Sequence, residues 1–137
     1  MEGQPTFPVG ATDYLVEHGF DGRVMTPFVE GAYAMWRLHP QGARISFDGR
    51  FEAAYPPDVQ LAHRVFYAAS GGWADVLRAY PTDVILVPRD QPILTPLLSS
   101  PGWRVVYGDD LYVLVAREEI ALPFTDRRGR TFVGRLP

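Results

Sequence analysis

Four large apolar residues in the middle of the chain, Val84-Ile85-Leu86-Val87, constrain the fold more than any other stretch. A continuous apolar run of this length is typical of a strand that is covered on both faces of a sheet. Sheets of this kind are largely parallel, and their strands are joined by helices that cover the two faces. The run therefore predicts an α/β protein.

Strand and helix patterns alternate along the rest of the chain. Two strands precede the apolar run, at residues 23–26 and 44–47, and apolar residues at helical spacing lie between the strands. The predicted helices cover residues 11–18, 31–38, 57–69, 73–80 and 93–98. Strand and helix in alternation imply right-handed crossovers and a parallel core of three strands in the order 2-1-3.

Two further apolar segments follow, at residues 103–107 and 111–116, with only Gly108-Asp109-Asp110 between them. This spacing predicts a β-hairpin whose turn contains the two aspartates. The predicted fold is a three-layer α/β/α Rossmann-like sandwich with a five-stranded mixed sheet and a C-terminal β-hairpin. Two strand orders remain open: 2-1-3-5-4, which places the more apolar segment 111–116 inside, and 2-1-3-4-5.

The length of 137 residues is that of one domain. We expect a single α/β domain over residues 1–120. Residues 121–137 contain Arg, Gly and Pro with little periodicity, which predicts an irregular C-terminal extension or one extra strand at residues 130–133.

Charged residues follow the ends of the first three predicted strands. In an open parallel sheet, ligands bind beyond the carboxyl ends of the strands, so these residues would converge on one edge. The candidate ligand-binding residues are Glu30, Asp48, Arg50, Glu52, Arg89 and Asp90. The alternative interpretation is a structural ion-pair network that ties the loops together.

No catalytic residue is predicted, because the sequence lacks a glycine-rich phosphate loop and a Gly-x-Ser-x-Gly elbow. The chain has no cysteine, and His18, His39 and His63 have no metal-ligand spacing, so neither a metal nor a cofactor is expected. The net charge of −3 argues against a nucleic-acid partner. No apolar run approaches the about 18 residues of a membrane span.

The order of several short motifs carries a resemblance to a known family. They are the Gly-Arg-Val strand, the segment 30–40, Phe47-Asp48-Gly49-Arg50, the segment 73–80, Thr82-Asp83-Val84, Val87-Pro88-Arg89-Asp90, and Pro101-Gly102-Trp103-Arg104-Val105-Val106-Tyr107-Gly108-Asp109-Asp110. Together they resemble the C-terminal soluble domain of bacterial polytopic membrane proteins similar to GT-C glycosyltransferases, of the oligosaccharyltransferase and protein-mannosyltransferase type. The resemblance covers about residues 11–117.

This resemblance implies a setting and partners. The parent protein would use lipid-linked sugars, and its catalytic carboxylates would lie in membrane-adjacent loops outside this chain. The domain itself would be extracytoplasmic, in the periplasm or at the outer face of the cytoplasmic membrane, attached to a membrane-spanning region absent from this chain. Its partners would be that membrane-embedded part and a glycan or peptide acceptor.

Two functions follow from these patterns. The first is a non-catalytic soluble domain of a membrane glycosyltransferase-like protein, which contributes acceptor or loop interactions outside the membrane. The alternative is a small Rossmann-like enzyme, or a nucleotide or sugar-phosphate binder, that acts at the carboxyl edge of the sheet. For the second, fold-level analogy is the main support. Whether the parent is an enzyme is left open by the residues.

Overall fold

The computed structural model describes residues 8–45 and 57–126. Within these ranges, helices and strands alternate as the sequence predicts, and the α/β class is confirmed. The elements are α1 (Val9–Glu17), β1 (Arg23–Met25), α2 (Phe28–Leu38), a 3-10 turn (His39–Gln41), β2 (Arg44–Ile45), α3 (Pro57–Tyr67), α4 (Trp73–Ala79), β3 (Val84–Pro88), α5 (Leu94–Leu98), β4 (Trp103–Gly108), β5 (Tyr112–Arg117) and β6 (Thr125–Asp126).

The strands form one mixed sheet in the order β2-β1-β3-β5-β4-β6. Strand β1 pairs in parallel with both β2 and β3, whereas β5 is antiparallel to its neighbours β3 and β4. The first five strands thus stand in one of the two orders that the sequence leaves open. The two-residue strand β6, which pairs in parallel with β4, was not predicted.

Side chains from the two faces of the sheet form two separate cores. On one face, Tyr14 and Leu15 of α1 and Leu38 of α2 pack against Leu86 and Leu114. On the other face, helices α3, α4 and α5 cover the sheet through the residues Phe66, Tyr67, Val76, Leu77, Ile93 and Leu97. The run from Val84 to Val87 contributes alternately to the two cores, and each of its four residues is at most 1% exposed. This burial explains why the run has no polar position.

Residues 121–126 are bound to the sheet. Arg104 on β4 donates hydrogen bonds of 2.8 and 2.9 Å to the carbonyls of Ile120 and Leu122, and the Tyr14 hydroxyl donates to the carbonyl of Pro123. Leu122 is 5% exposed within the first core. The expected irregular extension therefore begins, where it is described, with a packed segment. The division of the chain at residue 120 and the extra strand at 130–133 stay predictions, and the latter lies outside the described residues.

Among the helices that the structure describes, none is both long enough and apolar enough to span a membrane.

Candidate functional site

The carboxyl ends of β1 and β3 meet the beginning of β5 at one edge of the sheet, where Pro88 pairs with Tyr112. Three of the six predicted site residues lie at this edge. Glu30 is in the first turn of α2, just beyond β1, and Arg89 and Asp90 directly follow β3. The other three, Asp48, Arg50 and Glu52, lie outside the described residues, so their part in a site stays a prediction.

Glu30 is held inside the protein. It is 9% exposed, and its Oε2 accepts a hydrogen bond of 3.0 Å from the hydroxyl of Tyr112. Burial raises the pKa of the Glu30 carboxyl above its ordinary value; the Tyr112 hydrogen bond opposes this shift, and the negative charge of Asp90 adds to it. The charges of Glu30 and Asp90 therefore influence each other at this edge.

A second tyrosine is buried near Glu30. Tyr67 of α3 is 4% exposed and donates a hydrogen bond of 3.0 Å to the carbonyl of Leu86. Burial raises its pKa well above the ordinary value, and the charge of Glu30 raises it further. Helix α3 and helix α2 lie on opposite faces of the sheet, so the charge of Glu30 acts across the sheet and helps to keep the Tyr67 hydroxyl protonated.

Arg89 braces the turn between β4 and β5. Its Nε donates to the carbonyl of Asp109, and its backbone N–H donates to the carbonyl of Leu111 at 2.9 Å. A Cβ atom on Gly108 would come within 2.9 Å of the Arg89 Nη2, so the glycine leaves room for the guanidinium. The Nε atom and the backbone N–H of Arg89 therefore stabilise the turn between β4 and β5.

Asp109 organises the same turn. Its Oδ1 accepts hydrogen bonds from the backbone N–H groups of Leu111 and Tyr112, at 2.8 and 2.7 Å, and its Oδ2 accepts one of 2.6 Å from the Tyr107 hydroxyl. An aspartate that binds the backbone two residues onward is typical of a tight turn. Over residues 8–45 and 57–126, no group of three or more His, Asp or Glu side chains is placed to hold a metal ion.

This edge offers two kinds of group to a ligand. Glu30 is a carboxyl that keeps its proton at a higher pH than an exposed glutamate, but it is already bound to Tyr112. Asp90 is exposed and can meet a ligand directly. The described part of the edge is thus acidic, and its one guanidinium is engaged with the turn.

The opposite edge of the sheet carries arginines that are not among the site residues predicted from the sequence. Arg23 and Arg44 begin the parallel neighbours β1 and β2 and are register partners, and Arg117 ends the antiparallel strand β5. The amino ends of parallel strands and the carboxyl end of an antiparallel strand lie at the same edge. In the sequence, these three arginines stand at the ends of predicted strands, and this pattern could have indicated a positively charged edge.

The chain matches no family model, no curated protein sequence and no solved structure. The resemblance to a glycosyltransferase domain therefore stays a proposal.

Proposed function

We propose that this chain is a non-catalytic soluble domain of a membrane glycosyltransferase-like protein, and that it contributes acceptor or loop interactions outside the membrane. The observation that carries the proposal is the engagement of the polar groups at the carboxyl edge. Glu30 is bound to Tyr112, and Arg89 is bound to the carbonyl of Asp109. Hydrogen bonds of this kind support a structural role for both side chains in a binding domain.

The architectural part of this proposal is a three-layer Rossmann-like sandwich ending in a C-terminal β-hairpin. It is supported by the two cores on opposite faces of the sheet and by the antiparallel pairing of the consecutive strands β4 and β5. The setting rests on the ordered motifs from residue 11 to residue 117. The proposed setting is the periplasm or the outer face of the cytoplasmic membrane, where the domain would be bound to a membrane-embedded partner.

Cell fractionation tests the setting. An antibody raised against this chain should detect the protein in the membrane fraction, and protease added to intact spheroplasts should remove the signal. A protein found in the soluble fraction, and protected from protease until the cells are lysed, would contradict the proposed location. Turnover of a lipid-linked or nucleotide-linked sugar by the purified chain would contradict the non-catalytic role.

A second function is favoured by one observation. Glu30 is a buried carboxyl with a raised pKa at the edge where α/β proteins bind ligands, and carboxyl groups perturbed in this way are enriched at functional sites. The corresponding proposal is a small Rossmann-like enzyme, or a nucleotide or sugar-phosphate binder. Saturable thermal stabilisation by a nucleotide or a sugar phosphate that vanishes in Asp90→Asn would support it over the first.

A further inference from the structure

Two open clefts adjoin each other at the amino edge of the sheet, opposite the predicted site. Their volumes are about 350 and 470 Å³, which is the range of small-molecule sites. The smaller cleft lies between the beginnings of β1, β2 and β3, and the larger one between α4 and the beginning of β4. Pro81 and Arg117 line both clefts, so together the clefts form one groove, which we call the amino-edge groove.

Arg117 is fixed in the middle of the amino-edge groove. Its Nε donates a hydrogen bond of 2.6 Å to the carbonyl of Thr82, and its guanidinium lies 4.7 Å from the centre of the Trp103 ring. The two terminal nitrogens donate to no other described residue. A guanidinium that is stacked and anchored through Nε is already ordered, so it can bind a carboxylate or phosphate with both terminal nitrogens at little entropic cost.

Arg23 and Arg44 extend the positive charge into the smaller cleft. Both side chains are exposed, and neither guanidinium forms an ion pair or a hydrogen bond with another residue of the described ranges. Arg78 also lines the groove, but it is paired with Asp75. The smaller cleft is lined by three arginines and two aspartates, so its lining carries a small positive charge in a chain whose net charge is −3.

The same groove has aromatic walls. Trp73 and Trp103 line the larger cleft, and both are half-buried because they pack against the core on that face of the sheet. Their positions are therefore set by packing. Indole rings present broad apolar surfaces with one polar tip, which suits the flat apolar face of a sugar ring.

Two carboxylates in the smaller cleft narrow the class of ligand. Asp21 and Asp83 lie among the arginines, and one oxygen of Asp83 accepts the backbone N–H of Arg23 at 3.0 Å. A polynucleotide carries a phosphate at every nucleotide, and these carboxylates would repel the phosphates. A saccharide brings hydroxyl groups, which can donate hydrogen bonds to carboxylates, as well as its own anion.

We propose that the amino-edge groove binds an anionic saccharide, whose anionic groups pair with Arg117 and with Arg44 and whose ring lies against Trp73. This binding would not depend on the membrane setting proposed above. The groove also lies at the amino edge of the sheet, whereas the site residues predicted from the sequence, where the structure describes them, lie at the carboxyl edge.

Intrinsic fluorescence can follow this binding. Trp36 is 71% exposed and lies outside the groove, so Trp36→Phe leaves emission only from Trp73 and Trp103. In this background we expect tri-galacturonate or glucose 1-phosphate to change the emission saturably, whereas a neutral galactose trisaccharide does not. Calorimetry on the unmodified chain should give the same affinity.

Three substitutions test the assignment. Arg44→Ala and Arg117→Lys should each weaken binding about tenfold or more, because each removes charged hydrogen bonds to the anion. The matched control Arg64→Ala, at an exposed position of α3, should bind like the parent. Arg44 has no described side-chain partner to lose, so its variant remains informative even if Arg117→Lys disturbs the strand end.

Several results would overturn the proposal. They are the absence of binding at millimolar anionic saccharide, equal binding of the neutral trisaccharide, and unchanged affinity in Arg44→Ala and folded Arg117→Lys. Tighter binding of a thymidine hexanucleotide than of either saccharide would assign the groove to single-stranded nucleic acid instead.

Discussion

The hydroxyl of Tyr112 donates a hydrogen bond of 3.0 Å to Oε2 of Glu30, which joins the beginning of β5 to the first turn of α2 across the carboxyl edge. Glu30 is 9% exposed as a residue, so water cannot readily replace a lost donor. Tyr112 is itself 3% exposed and pairs with Pro88 at the end of β3. This contact therefore ties together the three elements that form the carboxyl edge.

Removing the Tyr112 hydroxyl should destabilise the protein. Tyr112→Phe leaves the buried Glu30 carboxyl without this donor, and we expect a loss of about 1–3 kcal/mol in the free energy of unfolding. Urea denaturation of Tyr112→Phe, Glu30→Gln and the double variant measures the coupling between the two side chains. Additive effects would show that the contact contributes nothing to stability. Glu119→Gln, at an exposed position, is the control.

The pH dependence of stability should carry a contribution from His63. Burial, and to a lesser degree the charge of Arg64, lowers its pKa from 6.5 to about 4. Between these values the unfolded chain binds a proton that the folded chain does not, so stability is lost as the pH falls from 6.5 to 4. After a discount for solvent screening of the half-buried ring, the loss is about 1–2 kcal/mol.

Urea denaturation at pH 7 and at pH 4.5 measures this contribution. His63→Gln should lose less stability between the two pH values than the parent does, whereas His39→Gln, at an exposed position, should follow the parent. Parallel losses in all three proteins would mean that His63 titrates alike in the folded and unfolded chain.

Gly10 is required by close packing against β4. A Cβ atom at this position would overlap the hydroxyl of Tyr107 and approach Oδ2 of Asp109 to 2.9 Å. Alanine favours helices by about 1 kcal/mol over glycine, yet displacing a tyrosine that is 1% exposed should outweigh that gain.

We therefore expect Gly10→Ala to lose about 1–3 kcal/mol in the free energy of unfolding, measured by urea denaturation. The control Gly71→Ala has open space around the added methyl group and should change stability by less than about 0.5 kcal/mol. A Gly10→Ala protein more stable than the parent would show that Tyr107 moves aside freely.

Arg104 should determine how firmly the segment after β5 is held. Its Nη2 donates to the carbonyls of Ile120 and Leu122, so Arg104→Met leaves both acceptors without this partner. Exchange of the backbone amide hydrogens at residues 122 and 124–126 should become about tenfold faster, because the segment opens more readily. Arg64→Met, on the exposed face of α3, should leave this exchange unchanged.

The sequence predicts the central strand well because burial on both faces of the sheet requires an unbroken run of apolar residues. Val84 to Val87 face two cores, so no polar residue is tolerated there, and β3 is found at Val84–Pro88. Helix beginnings are less well marked. The sequence places the start of the second helix at Gly31, but α2 begins at Phe28, and the N–H of Gly31 donates to the carbonyl of Pro27.

Thr12 illustrates the same difficulty at the first helix. The sequence places the start of the first helix at residue 11, but α1 begins at Val9. The Thr12 hydroxyl donates to the carbonyls of Pro8 and Val9 from within the helix, at 2.8 and 3.1 Å. A threonine that caps a helix and one that bonds back to a carbonyl one turn earlier share the same local sequence.

The contacts of the candidate site depend on strand order, which the sequence leaves open. The sequence places Glu30, Arg89 and Asp90 beyond strand ends, but it leaves open whether β4 or β5 lies next to β3. With β5 there, Tyr112 meets Glu30, and the turn at Asp109 receives Arg89. The aromatic and arginine residues of the amino-edge groove come from distant segments, and no local pattern connects them.

The two edges of the sheet differ in role: internal hydrogen bonds hold the carboxyl edge, and the amino edge binds a ligand. An NMR titration of the isotope-labelled chain with tri-galacturonate tests this distinction most directly. We predict that the amides with the largest saturable shifts lie at residues 21–23, 42–44, 82–83, 103 and 117. Largest shifts at residues 30, 89–90 and 109–112, with the amino edge unchanged, would contradict the account.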